Sequence, residues 1–236
     1  MIKYAKIGRR GKVVDKMELK EAIEKRQSIR KYKDEPISNE EIQKILEAGR
    51  LAPSGKNMQN WFFVAIKNKE KLNKVVEIIA KKNQEIAKKI SAVDAKKGER
   101  FIKFCQNFTL YVKDAPVLVL IFAQQYIPTG YEEMKLYGEE ESVLEELMNQ
   151  SSPGMQSVGA AIENMMLMAT NLGYGSCWLT SANYANKEIE AYAKLELGLK
   201  EEGYFFASMM PLGIPADTAH KSPGRKPLEE ISVIVE

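Results

Sequence analysis

Residues 50–66 read R-L-A-P-S-G-K-N-M-Q-N-W-F-F-V-A-I, and few folds accommodate that order. An amphipathic helix must end near Pro53, whose ring and missing N–H break the helical ladder and push Ala52 out of the helical region. Ser54, Gly55 and Asn57 then make a compact loop with short polar side chains and free backbone N–H groups. Trp61–Ile66 shows no alternation, so its pattern predicts a strand covered on both faces. A polar loop held at the mouth of a buried strand can hold a ligand. Turn chemistry alone also accounts for most of these residues.

The rest of the chain must build a core around that strand. With 236 residues, 44% apolar and 28% charged, one domain over 1–236 with a sizeable core is expected. The net charge of +3 and the interleaving of bases with acids argue against a dedicated nucleic-acid binder. Only the start, Lys3 to Lys33, is locally basic. Cys105 and Cys177 are far apart with no C-x-x-C, which predicts free thiols in a reducing, cytoplasmic setting. A single histidine, His220, weakens any Ser-His or Cys-His triad and argues against a multi-histidine metal site. No window is apolar enough to span a membrane, and Met1–Tyr4 does not open a signal peptide.

Taken in order, residues 1–14 form a basic extension without period. Asp15 and Glu18 open a helix with Leu19, Ala22 and Ile23 inside. Arg26, Ser28 and Arg30 follow at alternate positions, which in an extended segment puts two guanidiniums and a hydroxyl on one side, suited to an anion. A solvated basic turn fits the same pattern. Ser38 and Glu41 form a capping box for a helix with Ile42, Ile45, Leu46 and Gly49 inside. Lys69–Ala92 has helical period; Lys88–Arg100 reads as a helix end and surface loop. Ala115–Ala123 is a second wholly apolar strand. Residues 126–152 are acidic and irregular, a lid or insertion with short helical pieces. Pro153-Gly154 opens a helix to Leu172, apolar nearly all round and therefore buried or at a subunit seam, with Gly173 as its left-handed cap. Gly175–Leu179 reads as a strand, Asn186 starts a helix, Tyr204–Met210 is a strand broken at Pro211, and Ile231–Val235 a short terminal strand.

Three separated pieces then combine: Arg26-x-Ser28-x-Arg30, Pro53-Ser54-Gly55-x-Asn57-x-Gln59-Asn60-Trp61, and Leu172-Gly173-Tyr174-Gly175-x-Cys177-Trp178. Pro211-x-Gly213-x-Pro215 and a late Arg225-Lys226-Pro227 follow in order. Together they resemble the FMN-dependent nitroreductase family over roughly residues 21–67 and 153–236. The resemblance implies an α+β fold, a mixed central sheet wrapped by helices, in an intertwined homodimer with FMN at the subunit interface.

The resemblance also implies roles. Arg26, Ser28 and Arg225 match positions around the FMN phosphate. Arg30 and Asn57 match positions reaching the ribityl chain or pyrimidine edge. Pro53, Ser54 and Gly55 match the loop against the isoalloxazine ring, often from the partner chain. Thr180 and Ser181 match the place where backbone N–H groups approach flavin N5, where many relatives carry an acidic residue and Gly. Gln27 stands where many relatives have Arg or His. The implied activity is hydride transfer from NADH or NADPH through flavin N5 to a small-molecule acceptor such as a nitroaromatic or quinone, with no catalytic side chain and no metal. Alternatives within reach are a flavin-binding or sensing protein without turnover, or a specialised relative such as a dehalogenase or dehydrogenase.

Overall fold

The structure, a computed structural model, describes residues 17–149, 152–216 and 223–236. The basic extension, the Asp15 cap and His220 lie outside them. The elements run α1 (Leu19–Lys25), α2 (Asn39–Arg50), β1 (Trp61–Ile66), α3 (Lys69–Ser91), α4 (Ala95–Phe108), β2 (Val117–Gln124), α5 (Tyr131–Tyr137), α6 (Glu141–Asn149), α7 (Pro153–Asn171), β3 (Gly175–Ser176), α8 (Asn186–Glu196) and β4 (Tyr204–Gly213). The strand order is β1-β2-β4-β3, and each named pair is antiparallel. Ser28 adds a parallel bridge to Ser176, so the sheet is mixed through that edge.

The unbroken apolar run of β2 feeds two cores at once, because successive side chains leave opposite faces of a strand. Leu118, Leu120 and Phe122 join residues of α3, α4 and α8; Val117, Val119, Ile121 and Ala123 join residues of α2 and α7. A bulge at Ile121/Phe122 sets Ile121 opposite Ser208 and Phe122 opposite Phe206. β1 is less covered than its composition predicts: Trp61 and Ile66 are buried, while Phe62–Ala65 are half-buried. It is an edge strand, paired with β2 alone.

The capping box forms: Ser38 Oγ accepts from Glu41 N (3.2 Å) and donates to Glu41 Oε2 (2.8 Å). α1 is capped by Glu18 without a side-chain hydrogen bond, and of its expected inner stripe only Ala22 is buried; Leu19 and Ile23 face solvent. The loop expected up to Arg100 is instead the start of α4. Asp94 caps that helix by accepting from Lys97 N, and a Cβ on Gly98 would stand 3.0 Å from the Ala87 carbonyl, so glycine lets α4 fold back on α3. Gly173 has the expected left-handed φ of +83° and ends α7.

Three expected strands differ. The strand from Gly175 holds only two residues before Leu179 rejoins β4 through Met209. β4 continues through Pro211 to Gly213. Met209 N donates to Leu179 O, so the N–H that Pro211 lacks would point to the same side, into the gap between Leu179 and β3. Ile231–Val235 forms no strand: residues 223–236 are exposed, and their hydrogen bonds are internal.

Tyr32 and Tyr111 are buried in the core shared with α3, α4 and α8, and burial pushes both phenols well above their ordinary range. The Tyr32 hydroxyl donates to the Ile29 carbonyl; the Tyr111 hydroxyl lies by the Cys177 thiol and has no well-formed hydrogen bond. A phenol that stays protonated when folded but ionises when unfolded loses stabilising effect as pH rises past about 10. Tyr111→Phe removes an unsatisfied hydroxyl and is expected to raise stability by about 1 kcal/mol at pH 8, and by more at pH 10.5. Urea unfolding at the two pH values checks this; a loss of stability at pH 8 would contradict it.

Candidate functional site

The sequence-predicted residues other than Arg225 fall into two groups, one reaching α7 at Glu163 and one at the start of α7. The first begins where α1 ends. Ile29 N donates to Ser176 O (2.9 Å), Lys33 N to Ile214 O (2.9 Å) and Ala216 N to Lys31 O (3.0 Å), stitching residues 28–33 along β3 and the end of β4. The fit depends on Gly175: a Cβ there would stand 2.6–2.8 Å from three atoms of the Ile29 side chain. With Ile29 fixed, Arg26 meets α7, its Nε 3.2 Å from Glu163 Oε1. The Arg26 side chain is only 18% exposed, yet that ion pair uses one edge of its guanidinium. Ser28 and Gln27 are half-buried and Arg30 is exposed. Ser176 Oγ is buried without a partner, and Trp178 lies over Gly159 of α7.

Thr180 and Ser181 follow on a segment tied down from three sides. Leu179 exchanges backbone hydrogen bonds with Met209, and its carbonyl accepts from Ser208 Oγ (2.8 Å). Thr109 Oγ1 donates to Ser181 Oγ (2.7 Å), and Asn183 Nδ2 to Ala207 O (2.9 Å). Thr180 itself is exposed. Guanidiniums, hydroxyls and a fixed backbone turn beside a half-exposed indole have the chemistry of a cradle for an anionic, partly aromatic ligand.

The second group sits at the start of α7. Ser54 Oγ accepts from Gln59 N (2.9 Å), Asn57 N donates to Ser54 O (3.0 Å), and Gly55 N donates to Ser157 Oγ (3.2 Å). Pro53 and Asn57 are exposed. Lys56, Asn57 and Gln59 all hold left-handed φ values of +54°, +51° and +47°. Such conformations in non-glycine residues cost of order 1 kcal/mol each and gather at ligand clamps. Lys56 reaches the Ile127 carbonyl (3.2 Å) over the Tyr126 ring.

Buried Asn60 ties this loop to the insertion. Its Nδ2 donates to Gln124 O and Gly154 O, both at 3.2 Å, while its Oδ1 has no partner. Those two carbonyls flank residues 126–152, so one amide staples both feet of the insertion. Between the feet opens a cavity of about 390 Å³.

One protomer does not bring the two groups together. Ser157 and Glu163 are six residues apart, about 9 Å along α7 and about 240° around it. Arg225 lies with neither: it stands on the exposed 223–236 arm, and its Nη1 donates to Pro223 O (3.2 Å). Glu163 escaped the sequence reading although it is the only charged residue between Pro153 and Asn171, a signal that could have marked it. Asn60 and Thr109 carried no comparable signal. Among the described residues no three His, Cys, Asp or Glu side chains gather as a metal site, and no helix is long and apolar enough to cross a membrane.

The sequence profile of the nitroreductase family matches residues 23–214. A BluB-like flavoprotein structure from Clostridium difficile is 48% identical, covers 93% of this chain and all of that one, and superposes with a TM-score of 0.89. A nitroreductase structure with bound FMN from Bacteroides fragilis is 25% identical, with coverage of 93% and 100% and a TM-score of 0.64. A Methanothermobacter thermautotrophicus protein, provisionally named NADH dehydrogenase/NAD(P)H nitroreductase, is 29% identical over 217 residues, 91% of this chain and 84% of its own length.

Two substitutions test this geometry. Gly175→Ala is expected to lower stability by about 1–3 kcal/mol in urea unfolding, the usual cost of overpacking; wild-type stability would contradict the Ile29 contact. Asn60→Ala strands two carbonyls and is expected to speed proteolytic cleavage within 126–152 several-fold; an unchanged cleavage rate would contradict the staple.

Proposed function

This chain belongs to the nitroreductase family, and on that premise we propose that it is an FMN-dependent oxidoreductase that passes electrons from NADH or NADPH to a small acceptor. The observation that carries the reading is the Arg26–Ser28 corner: a mostly buried guanidinium with donors to spare, on a segment whose Ser28 bridges to Ser176 of β3. That donor set fits a phosphate and a polyol. The flavoprotein and the FMN-bound nitroreductase among its relatives support the same cofactor.

When bound, FMN supplies a carrier that takes a hydride at N5 and gives up two electrons to an acceptor. The protein's own residues bind and orient. Arg26, with Ser28, holds the phosphate; Glu163 fixes the guanidinium. Gln27 contributes to the same wall. Arg30, with no carboxylate within 4 Å among the described residues, offers a cation where reduction builds negative charge. The restrained backbone at Thr180 and Ser181 presents fixed N–H donors. No side-chain acid or base is needed for hydride passage. A quinone acceptor takes the two electrons and one proton of NAD(P)H with a second proton from water, and leaves as the hydroquinone.

The separation of the two residue groups around α7 supports a homodimer in which a second copy completes each site. Its Pro53–Asn57 loop then faces the ring, and its 223–236 arm brings Arg225 to the phosphate. The half-exposed α7 stripe of Gly159, Ala160 and Leu167 is small and apolar enough for a seam.

Arg26→Ala combined with Arg225→Ala is expected to purify colourless, with FMN affinity reduced at least tenfold by equilibrium dialysis. A double variant that purifies fully yellow would overturn the phosphate assignment.

A further inference from the structure

Residues 81–108, the second half of α3 and all of α4, carry eight Lys or Arg and three Asp or Glu, a net charge of +5 in a chain whose total is +3. Lys88, Lys89, Lys96, Arg100 and Lys103 are exposed and have no carboxylate within 4 Å among the described residues. On α4, Lys97, Arg100, Phe104 and Phe108 recur every three or four residues and so share one face. The two rings are 51% and 47% exposed and pack on each other, centroids 5.2 Å apart. The buried side of α4 carries Gly98 and Cys105, and Cys105 belongs to the core across the sheet from α7. The basic face therefore points away from an α7 seam. Phe108 precedes Thr109, whose hydroxyl holds Ser181 (2.7 Å), so the face ends beside the Thr180–Ser181 turn.

We propose that this face docks on a bilayer surface rich in anionic lipid, with its cations at the lipid phosphates and the Phe104–Phe108 pair among the headgroups and upper acyl chains. Spanning is not required: a helix with basic and aromatic side chains binds in the plane of the interface. Charge complementarity selects the occupant, because each Lys or Arg near an anionic leaflet adds attraction. Composition separates a lipid surface from an acidic protein. Protein interfaces favour Arg and are depleted in Lys, whereas seven of the eight cations here are Lys. The rings separate lipid from nucleic acid. They pack on each other, which leaves no slot between them for a base to stack.

Co-sedimentation of the purified protein with phosphatidylcholine vesicles, with and without phosphatidylglycerol, tests this. Vesicles that contain phosphatidylglycerol are expected to bind roughly tenfold or more tightly than those without, and to release the protein as salt rises. Lys96→Glu combined with Lys103→Glu, both at exposed positions, is expected to weaken that binding roughly tenfold or more. Phe104→Ser combined with Phe108→Ser keeps every charge and is expected to weaken it roughly threefold or more. Equal binding to the two kinds of vesicle, binding that survives the charge reversal, or binding indifferent to both phenylalanines would overturn the proposal. Polyglutamate or duplex DNA that outcompetes the vesicles would assign the face to an acidic macromolecule and overturn it too. None of these readouts involves flavin or turnover, so the oxidoreductase reading stands or falls separately.

Discussion

A missing side chain at Gly175 lets Ile29 settle against β3 with no room to spare, and much of the molecule follows from that contact. It allows residues 28–33 to pair with β3 and the end of β4, which buries Ile29 and Tyr32 in the core shared with α3, α4 and α8. The same pairing delivers Arg26 to Glu163. A buried apolar contact thus sets the position of a charged group that could not hold itself there. Taking the Arg26 guanidinium largely out of water offsets most of what its pairing with Glu163 gains, whereas burying an Ile side chain stabilises by roughly 1.5–3 kcal/mol. Packing positions the arginine, and the ion pair orients it.

α7 is the second constraint. Val158, Ala161, Ile162, Met165 and Ala169 bury one side of it against the sheet and α2. The remaining side carries Gly159 under Trp178, Glu163 under Arg26, and small apolar residues with little covering them. The exposed arm adds Leu228, Ile231, Val233, Ile234 and Val235, each 65% or more exposed. Apolar surface of that extent gains roughly 25 cal/mol per Å² when covered. A second copy that covers α7 and takes up the arm answers both needs.

Elements whose pattern is local were legible in the sequence. The capping box at Ser38, the stop at Pro53, the β2 run and the Gly173 cap depend on neighbours a few residues away. The start of α4 was read as a surface loop because Lys96, Lys97, Glu99 and Arg100 crowd its first six residues and leave no apolar period there. Pro211 looked like a strand end because the gap beside it belongs to a distant segment. Ile231–Val235 has strand composition but no partner strand within the described residues. Site residues were legible as motifs, while what holds them was not: the Glu163 contact, the Thr109 hydroxyl and the Asn60 staple span 72 to 137 positions or join three separate segments.

The central claim is that this cradle holds a flavin that turns over. The most direct measurement is an absorbance spectrum of the purified, FMN-supplemented protein under anaerobic conditions, before and after NADH and then NADPH. An oxidised flavin spectrum that bleaches on addition of one or both donors and returns when a quinone is added is the expected result. A bound flavin that neither donor bleaches would contradict turnover and favour a flavin-binding protein. A protein that retains no FMN would contradict the cradle itself.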